Sequence, residues 1–220
     1  MIVIATNNGM RFLPNLLSDL EKFNITEEIS IIDTQSSDVE FINYLENLKL
    51  SNNLKLNVKI YQTPYRGFDT GAYIYAIQNF KSDRFIFLHD SIRIKTKEFF
   101  DVITEKLKSS NVVPLMTFDG GFWDDNNQIT FSIERFGSGT FKKGIFGPMF
   151  SISYSDSQLI DKNLLIYPIN KYEQQAMERC WAVIFEKYDL TIDSVEGEHN
   201  DYKINNDMYH YFTKMKPART

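Results

Sequence analysis

A carboxylate follows an apolar, strand-like run in the sequence RFIFLHDSIRIK, residues 84–95. The run FIFL (85–88) has the length of a buried strand, and His89 and Asp90 come directly after it. Aspartate is common where strands end in turns, so a turn is one explanation of Asp90. The other is chemical, because a buried strand would hold the carboxylate rigidly, as a preorganised ligand requires.

Polar side chains also follow other strands in the first half of the chain. The predicted strands cover residues 2–5, 29–33, 57–63, 84–88 and 112–118, and segments with apolar residues at helical spacing lie between most of them. This alternation predicts an α/β fold with a largely parallel sheet and helices on both faces. Ligands of such sheets bind outside the carboxyl ends of the strands. The polar residues at those ends are Asn7, Asn8, Asp33, Thr63, Arg66 and Asp90.

The pattern changes after residue 118. Residues 119–144 are rich in Gly, Asn and Asp and predict a hairpin and loops. A strand at 145–153, a helix at 171–187 and a late strand at 190–195 follow. The length fits one domain, 1–220, with a first half, 1–118, and a second half with a polar tail, 119–220.

Composition excludes several classes of protein. The formal charge of −5 argues against a protein that grips a nucleic-acid backbone. There is no run of about 18 apolar residues that would span a membrane, and the N-terminus turns polar after five residues, as a first strand does and a signal peptide does not. A single cysteine, Cys180, forms no internal disulfide and reads as a buried helical thiol. These features predict a cytoplasmic protein.

The order of the motifs resembles the nucleotide-sugar-dependent glycosyltransferases of the GT-A fold, which is Rossmann-like. The resemblance covers roughly residues 1–190, and RGFDTGAY also resembles enzymes of bacterial surface-polysaccharide assembly. The motifs are IVIATNN (2–8), IIDTQSSD (31–38), YRGFDTGAYIYAI (65–77), FIFLHDSI (85–92), GPMFSIS (147–153) and EQQAMERCWAVIF (173–185). FIFLHDSI falls where the family places its Asp-x-Asp signature, and this chain keeps one of the two carboxylates.

The resemblance implies a nucleotide-sugar donor, with UDP as the first choice of nucleotide, and a glycan or lipid-linked acceptor. It implies Mn²⁺ or Mg²⁺ held by Asp90, with His199 as the late histidine that completes the metal shell, although His199 could also be a solvated loop histidine. His89 could add a nitrogen ligand suited to Mn²⁺, or it could face the sheet or hydrogen-bond a neighbour. Loss of the second carboxylate leaves a metal-independent alternative, in which Arg66 or lysines neutralise the phosphates. Asp33 is assigned to base and ribose, or else caps a turn. The implied nucleotide-sugar residues are Thr6, Asn7, Asn8, Asp33, Arg66, Gly67, Asp69, His89 and Asp90. Asp69 could instead belong to the first turn of a helix, where a carboxylate suits the helix dipole.

An inverting sugar transfer also needs a carboxylate that takes the proton of the acceptor hydroxyl. Glu178 is the first candidate, ahead of Glu173 and Asp119, although Glu178 could also be a surface residue paired with a neighbouring cation. Trp123, next to Phe122 in the Gly- and Asp-rich loop, is the candidate for stacking on an acceptor sugar, whereas Trp181 reads as core.

Two other functions remain open at this stage. A nucleotidyltransferase also uses an α/β sheet and a carboxylate-held metal, but ATNNGMRF is a poor match to the Gly-rich phosphate loop of such enzymes. A non-catalytic carbohydrate-binding or assembly module could have kept the fold and lost the second acid. The donor sugar, the acceptor, the stereochemical outcome and the oligomeric state are not determined by the sequence.

Overall fold

A computed structural model describes residues 1–50, 55–119, 126–136, 143–199 and 209–215. For Asp119 and His199 the description covers the backbone and not the side chain. The strands are β1 (Ile2–Thr6), β2 (Ile29–Asp33), β3 (Val58–Gln62), β4 (Arg84–His89), β5 (Ile92–Ile94), β6 (Val112–Pro114), β7 (Thr117–Asp119), β8 (Lys143–Ile145), β9 (Phe150–Ser153), β10 (Glu198–His199) and β11 (Phe212–Lys214). The helices are α1 (Leu13–Lys22), α2 (Val39–Leu50), α3 (Phe68–Asn79), α4 (Glu98–Lys106), α5 (Asn126–Phe136), α6 (Tyr154–Leu159) and α7 (Lys171–Lys187), with a 3₁₀ turn at Lys162–Leu164.

Six strands form the main sheet in the order β3-β2-β1-β4-β9-β6. The first four are parallel, and β9 runs antiparallel to both of its neighbours. The predicted α/β sheet, largely parallel and flanked by helices, is therefore confirmed. The strand order reverses between β1 and β4, which makes the edge beyond these two strands the topological switch point where ligands of such sheets bind.

Alternation along β1 explains why helices cover both faces of the sheet. Ile2 and Ile4 point into one apolar cluster with the buried face of α1, whereas Val3 and Ala5 point into a second cluster with α3 and α7. Trp181 of α7 is fully buried in this second cluster, as the sequence predicted, and Cys180 beside it is a buried thiol. The two faces together hold the central strands rigidly, so their carboxyl ends are fixed.

Four sequence predictions need correction. The predicted strand at 145–153 is interrupted, since β8 ends at Ile145 and β9 begins only at Phe150. The Gly- and Asn-rich stretch predicted as hairpin and loops contains α5, whose Phe136 is buried and which packs on α7. The predicted strand at 112–118 is two short strands, β6 and β7. The predicted strand at 190–195 makes only one isolated bridge, from Ile192 to Val112. The missed helix has one physical cause, because short apolar spacings between polar segments do not distinguish a helix from a strand. The strand errors have another, because an apolar run does not show where pairing with a neighbouring strand is interrupted.

Two small sheets flank the main one. The first has the strand order β10-β7-β8. In this sheet β8 pairs antiparallel with β7, and β10 pairs parallel with β7. The second consists of β5 and β11, which brings the segment 209–215 back to the chain that leaves β4. None of the helices within the described ranges is long and apolar enough to cross a membrane.

Candidate active site at the switch point

Thr6 and Asp90 meet at the switch point. The Thr6 hydroxyl ends β1 and donates a 2.6 Å hydrogen bond to Asp90 Oδ2, and the Asp90 amide donates to the Ala5 carbonyl at 3.2 Å. Gly9 lies against this pair, since a Cβ atom at this position would overlap both the Asp90 carboxylate and the Thr6 hydroxyl. The buried central strands and the glycine thus fix the carboxylate in one position.

Burial raises the pKa of Asp90 to about 7. The hydrogen bond from Thr6 opposes this effect, and the nearby charge of Asp69 adds to it. A carboxyl group with such a pKa is poised to bind a cation or a proton near neutral pH, which is typical of functional sites and unusual for a turn aspartate.

His89 lies between an acid and a base. Its Nε2 is 3.0 Å from Asp69 Oδ2, and its Nδ1 is 3.3 Å from Lys214 Nζ. The contact with Asp69 lacks hydrogen-bond alignment, so Nε2 is a buried nitrogen without a hydrogen-bond partner within the described residues. Burial and the positive charges of Lys214 and Lys171 hold the pKa of His89 well below its usual value, so the imidazole is neutral.

Asp69 stands at the opening of this group, in the first turn of α3. Its side chain keeps 29% of its surface exposed, yet the surrounding protein still raises its pKa through desolvation, against the attraction of Lys214 and Lys171. Tyr73 lies one turn further along α3, with a fully buried side chain. The Tyr73 hydroxyl has no hydrogen-bond partner in the described part of the chain, and burial with the charges of Asp69 and Asp90 raises its pKa.

Glu178 faces the same group from α7. Desolvation raises the pKa of Glu178 above the usual value, while the positive charges of Lys214 and Lys171 and the amide of Gly147 oppose this effect. Gly147 has φ +57°, and a Cβ there would lie 3.0 Å from Lys214 Nζ and 3.1 Å from His89 Cε1. We call Asp69, His89, Asp90, Glu178 and Lys214 the switch-point cluster. Of the three candidate bases, Glu178 is the one whose described contacts connect it with this cluster.

The loops after β1 and β2 form a second polar region beside the cluster. Asn7 Nδ2 donates to the Thr34 carbonyl at 2.7 Å, and Asn8 Oδ1 accepts from the amides of Ser37 and Asp38 at 2.9 and 2.8 Å. Asn8 has φ +51°, which brings its side chain to the start of α2. Both asparagines remain exposed. They lie on the edge of the sheet where the nucleotide is expected.

Asp33 is buried at the end of β2 and organises its own loop. Its Oδ1 accepts from the amide and the hydroxyl of Ser36 at 3.0 and 2.5 Å, and its Oδ2 accepts from Gln62 Nε2 at 3.4 Å. These contacts directly support the interpretation of Asp33 as a turn residue. A contact of Asp33 with the base and ribose of a nucleotide stays a prediction.

The segment before α3 is shaped by close packing. Gly67 is the N-cap of α3 with φ +33°, and a Cβ there would approach Gly71 Cα to 2.6 Å and the Tyr167 ring to 2.9 Å. Arg66 is exposed and lies 5.9 Å from the centroid of the Phe68 ring. The role of Arg66 and Gly67 in donor binding stays a prediction.

The remaining predicted residues lie elsewhere or outside the described residues. Glu173 closes a capping box at the start of α7, where its amide donates to Asn170 Oδ1 at 2.8 Å and its Oε2 accepts from the Ile169 amide at 3.0 Å. This structural role accounts for Glu173 without catalysis. Asp119 ends β7 and His199 lies in β10, but their side chains are not described, and Phe122 and Trp123 lie outside the described residues.

The described residues offer few metal ligands. In the described ranges, no group of three or more His, Cys, Asp or Glu side chains is placed to hold a metal ion. Asp90 fits a cation that is shared with a bound diphosphate, because Mg²⁺ takes one or two carboxylates, with phosphate oxygens and water as its other ligands. The predicted ligand His199 is not tested by these contacts.

Sequence reasoning missed four residues of the site: Gly9, Tyr73, Gly147 and Lys214. Gly9 follows the motif IVIATNN directly, and Tyr73 lies four residues after Asp69 at helical spacing, so both had a local pattern that could have identified them. Gly147 and Lys214 had none, since each reaches the site through contacts with distant parts of the chain.

Comparison with known proteins identifies the fold. No family model and no curated protein matches the chain. Among solved structures, S. aureus TarS 1–349 in complex with UDP-GlcNAc aligns with a TM-score of 0.55 at 15% identity, over 100% of this chain and 59% of that chain. The chain has the GT-A fold.

Two further structures share the GT-A fold with this chain. Glucosyl-3-phosphoglycerate synthase from Mycobacterium tuberculosis, with Mn²⁺, UDP and glucosyl-3-phosphoglycerate, aligns with a TM-score of 0.54 at 11% identity, over 90% of this chain and 68% of that chain. GalNAc-T7 with UDP, GalNAc and Mn²⁺ aligns with a TM-score of 0.57 at 16% identity, over 91% of this chain and 44% of that chain. At these sequence identities the similarity is evidence for the fold alone. The chain covers 59% of the length of the TarS fragment.

Proposed function

We propose that the chain is a glycosyltransferase that moves a sugar from a nucleoside diphosphate, with UDP as the nucleotide, to the hydroxyl group of a glycan or lipid-linked acceptor. The observation that carries this proposal is the Thr6–Asp90 pair at the switch point of a GT-A sheet. The neighbours crystallised with UDP, UDP-GlcNAc or Mn²⁺ support the choice of donor.

The donor would lie across the carboxyl ends of β1, β2 and β4. Exposed Asn7 and Asn8 face the nucleotide, and buried Asp33 keeps their neighbouring loop in shape. Arg66, Gly67 and Asp69 border the same edge from the start of α3. Asp90 would hold Mn²⁺ or Mg²⁺, which supplies charge neutralisation for the leaving diphosphate.

Glu178 would act as the base toward the acceptor. A carboxyl group whose pKa is raised toward the working pH accepts a proton more effectively than an ordinary glutamate does. Phe122 and Trp123 remain the proposed acceptor-stacking residues, and a cytoplasmic role in polysaccharide synthesis remains part of the proposal.

Titration calorimetry with UDP, GDP and CDP in Mn²⁺ tests the donor site, and a screen of nucleotide-sugars for metal-dependent hydrolysis tests turnover. We expect UDP to bind and at least one UDP-sugar to be hydrolysed slowly without acceptor. Absence of binding to all three nucleotides would refute the donor site. Binding without turnover of any donor, with or without glycan acceptors, would favour the non-catalytic module.

A further inference from the structure

Lys214 is a cation inside a group of acids. Its Nζ lies 3.3 Å from His89 Nδ1, 4.8 Å from the centroid of the Phe146 ring, and against Gly147. Burial lowers the pKa of Lys214, whereas the charges of Glu178, Asp69 and Asp90 raise it. The ammonium group therefore lies within electrostatic reach of all three carboxyl groups of the switch-point cluster.

Backbone pairing fixes Lys214 at this place. Strand β11 pairs antiparallel with β5, in the register that sets Lys214 opposite Ile92, two residues after Asp90. The Met215 amide donates to the Ser91 carbonyl at 2.7 Å, and the Lys95 ammonium donates to the Tyr209 carbonyl. The main chain on both sides of Lys214 is thus attached to the segment that leaves the switch point.

A diphosphate needs positive charge at this edge of the sheet. Asp69, Asp90 and Glu178 would repel an entering anion in their ionised forms. Lys214 and Lys171 act electrostatically on Asp69, His89 and Glu178, whereas Arg179 acts on Glu178, its neighbour in α7, and Lys171 is exposed at the first position of that helix. Lys214 is the one held beside the segment that follows Asp90, through the pairing of β11 with β5, so its ammonium group is already in place when the donor arrives.

We propose that Lys214 is a catalytic residue that binds the donor's diphosphate and stabilises its negative charge as it leaves; this inference rests on the proposed function. In the transfer, the bond between the sugar anomeric carbon and the β-phosphate oxygen breaks, and its electron pair stays on that oxygen. The acceptor oxygen forms the new bond to the anomeric carbon, and its proton passes to Glu178. Lys214 donates hydrogen bonds to the phosphate oxygens and loses no proton.

The test compares uridine with UDP in calorimetry, for wild type, Lys214→Met and Lys214→Arg, in Mg²⁺ and again in EDTA. We expect Lys214→Met to lose about ten- to a hundredfold in affinity for UDP and little for uridine, because a charge-assisted hydrogen bond to phosphate is removed. Lys214→Arg keeps the charge and should retain most of the preference for UDP. Lys106→Met removes a lysine whose partner is the surface residue Asp193, and it serves as the control for total charge.

The outcomes separate this inference from the proposed function. If wild type binds UDP and Lys214→Met keeps the same ratio of UDP to uridine affinity, the inference is wrong and the donor site stands. If wild type binds no nucleotide, the proposed function fails first, and the inference with it. Lys214→Gln keeps a polar side chain beside His89 and provides a second neutral variant should Lys214→Met not fold; an unchanged ratio in Lys214→Gln would overturn the inference equally.

Discussion

The Thr6 hydroxyl and the Asp90 carboxylate are joined across β1 and β4 by a 2.6 Å hydrogen bond, although 84 residues separate them in the chain. The two strands are adjacent in the sheet and parallel, so their last residues reach the same edge. Gly9 completes the arrangement from the loop after β1, because only a residue without a side chain leaves room for both groups. This contact distinguishes Asp90 from an aspartate that merely ends a strand.

Asp90→Asn keeps the shape of the side chain and removes its charge. We expect metal-dependent turnover to fall by on the order of a hundredfold or more, the range seen when a key electrostatic group is lost. Folding should survive, since Asn can still accept the hydrogen bond from Thr6. Initial rates at saturating Mn²⁺ and thermal melting measure the two effects, with Asp193→Asn at the surface as the control. Near-normal turnover in Asp90→Asn would mean that Asp90 is only a turn residue.

Thr6→Val tests the donor of the same hydrogen bond. The valine is nearly isosteric but leaves Asp90 Oδ2 without its donor, which should cost about 1–3 kcal/mol of folding stability. The hydrogen bond from Thr6 lowers the pKa of Asp90, so its removal should raise that pKa further. Thr6→Ser restores the hydroxyl and should recover stability and turnover. Chemical denaturation of the three proteins provides the comparison, and equal stability of Thr6→Val and wild type would contradict the role of this contact.

The site was predictable from sequence to the extent that it depends on local pattern. Asp90, Thr6 and Asn7 follow apolar runs, and parallel strands must bring such residues to one edge. Lys214 reaches His89 across 125 residues through the pairing of β11 with β5, and nothing in either short segment indicates that pairing. The sequence ranks Glu178 ahead of Glu173 on one helix, but only the structure shows that Glu173 caps the helix through Ile169 and that Glu178 lies near Lys214 and Lys171.

Gly147→Ala tests the close contact beneath Lys214. An alanine at φ +57° costs about 1–2 kcal/mol through backbone strain, and its Cβ would press on Lys214 Nζ and His89 Cε1. Gly197→Ala is a matched control, because Gly197 has φ +82° but a Cβ there meets nothing within 4 Å among the described residues. We expect both variants to lower the melting temperature and only Gly147→Ala to weaken UDP binding. Equal UDP affinity in both would show that the Gly147 contact does not shape the site.

Glu178→Gln should lower activity and raise stability at neutral pH. Desolvation raises the folded-state pKa of Glu178 above the usual value of 4.5, so the folded protein holds this proton more tightly than the unfolded chain does. Protonation of Glu178 therefore contributes to the free energy of unfolding. This contribution is fully present below pH 4.5 and is lost as the pH rises through the raised folded-state pKa. Glutamine does not titrate, so the variant should melt higher than wild type at pH 8, and the difference should vanish toward pH 4.

Glu173 on the same helix should behave in the opposite way. Glu173→Ala removes the capping contact with the Ile169 amide and should cost about 0.5–2 kcal/mol at neutral pH, with turnover retained. Glu178→Gln should instead reduce kcat by about 10²–10⁴, the contribution of a general base. Melting curves from pH 4 to 8 and kcat for both variants decide between the two glutamates. Lost turnover in Glu173→Ala with normal turnover in Glu178→Gln would reverse the assignment.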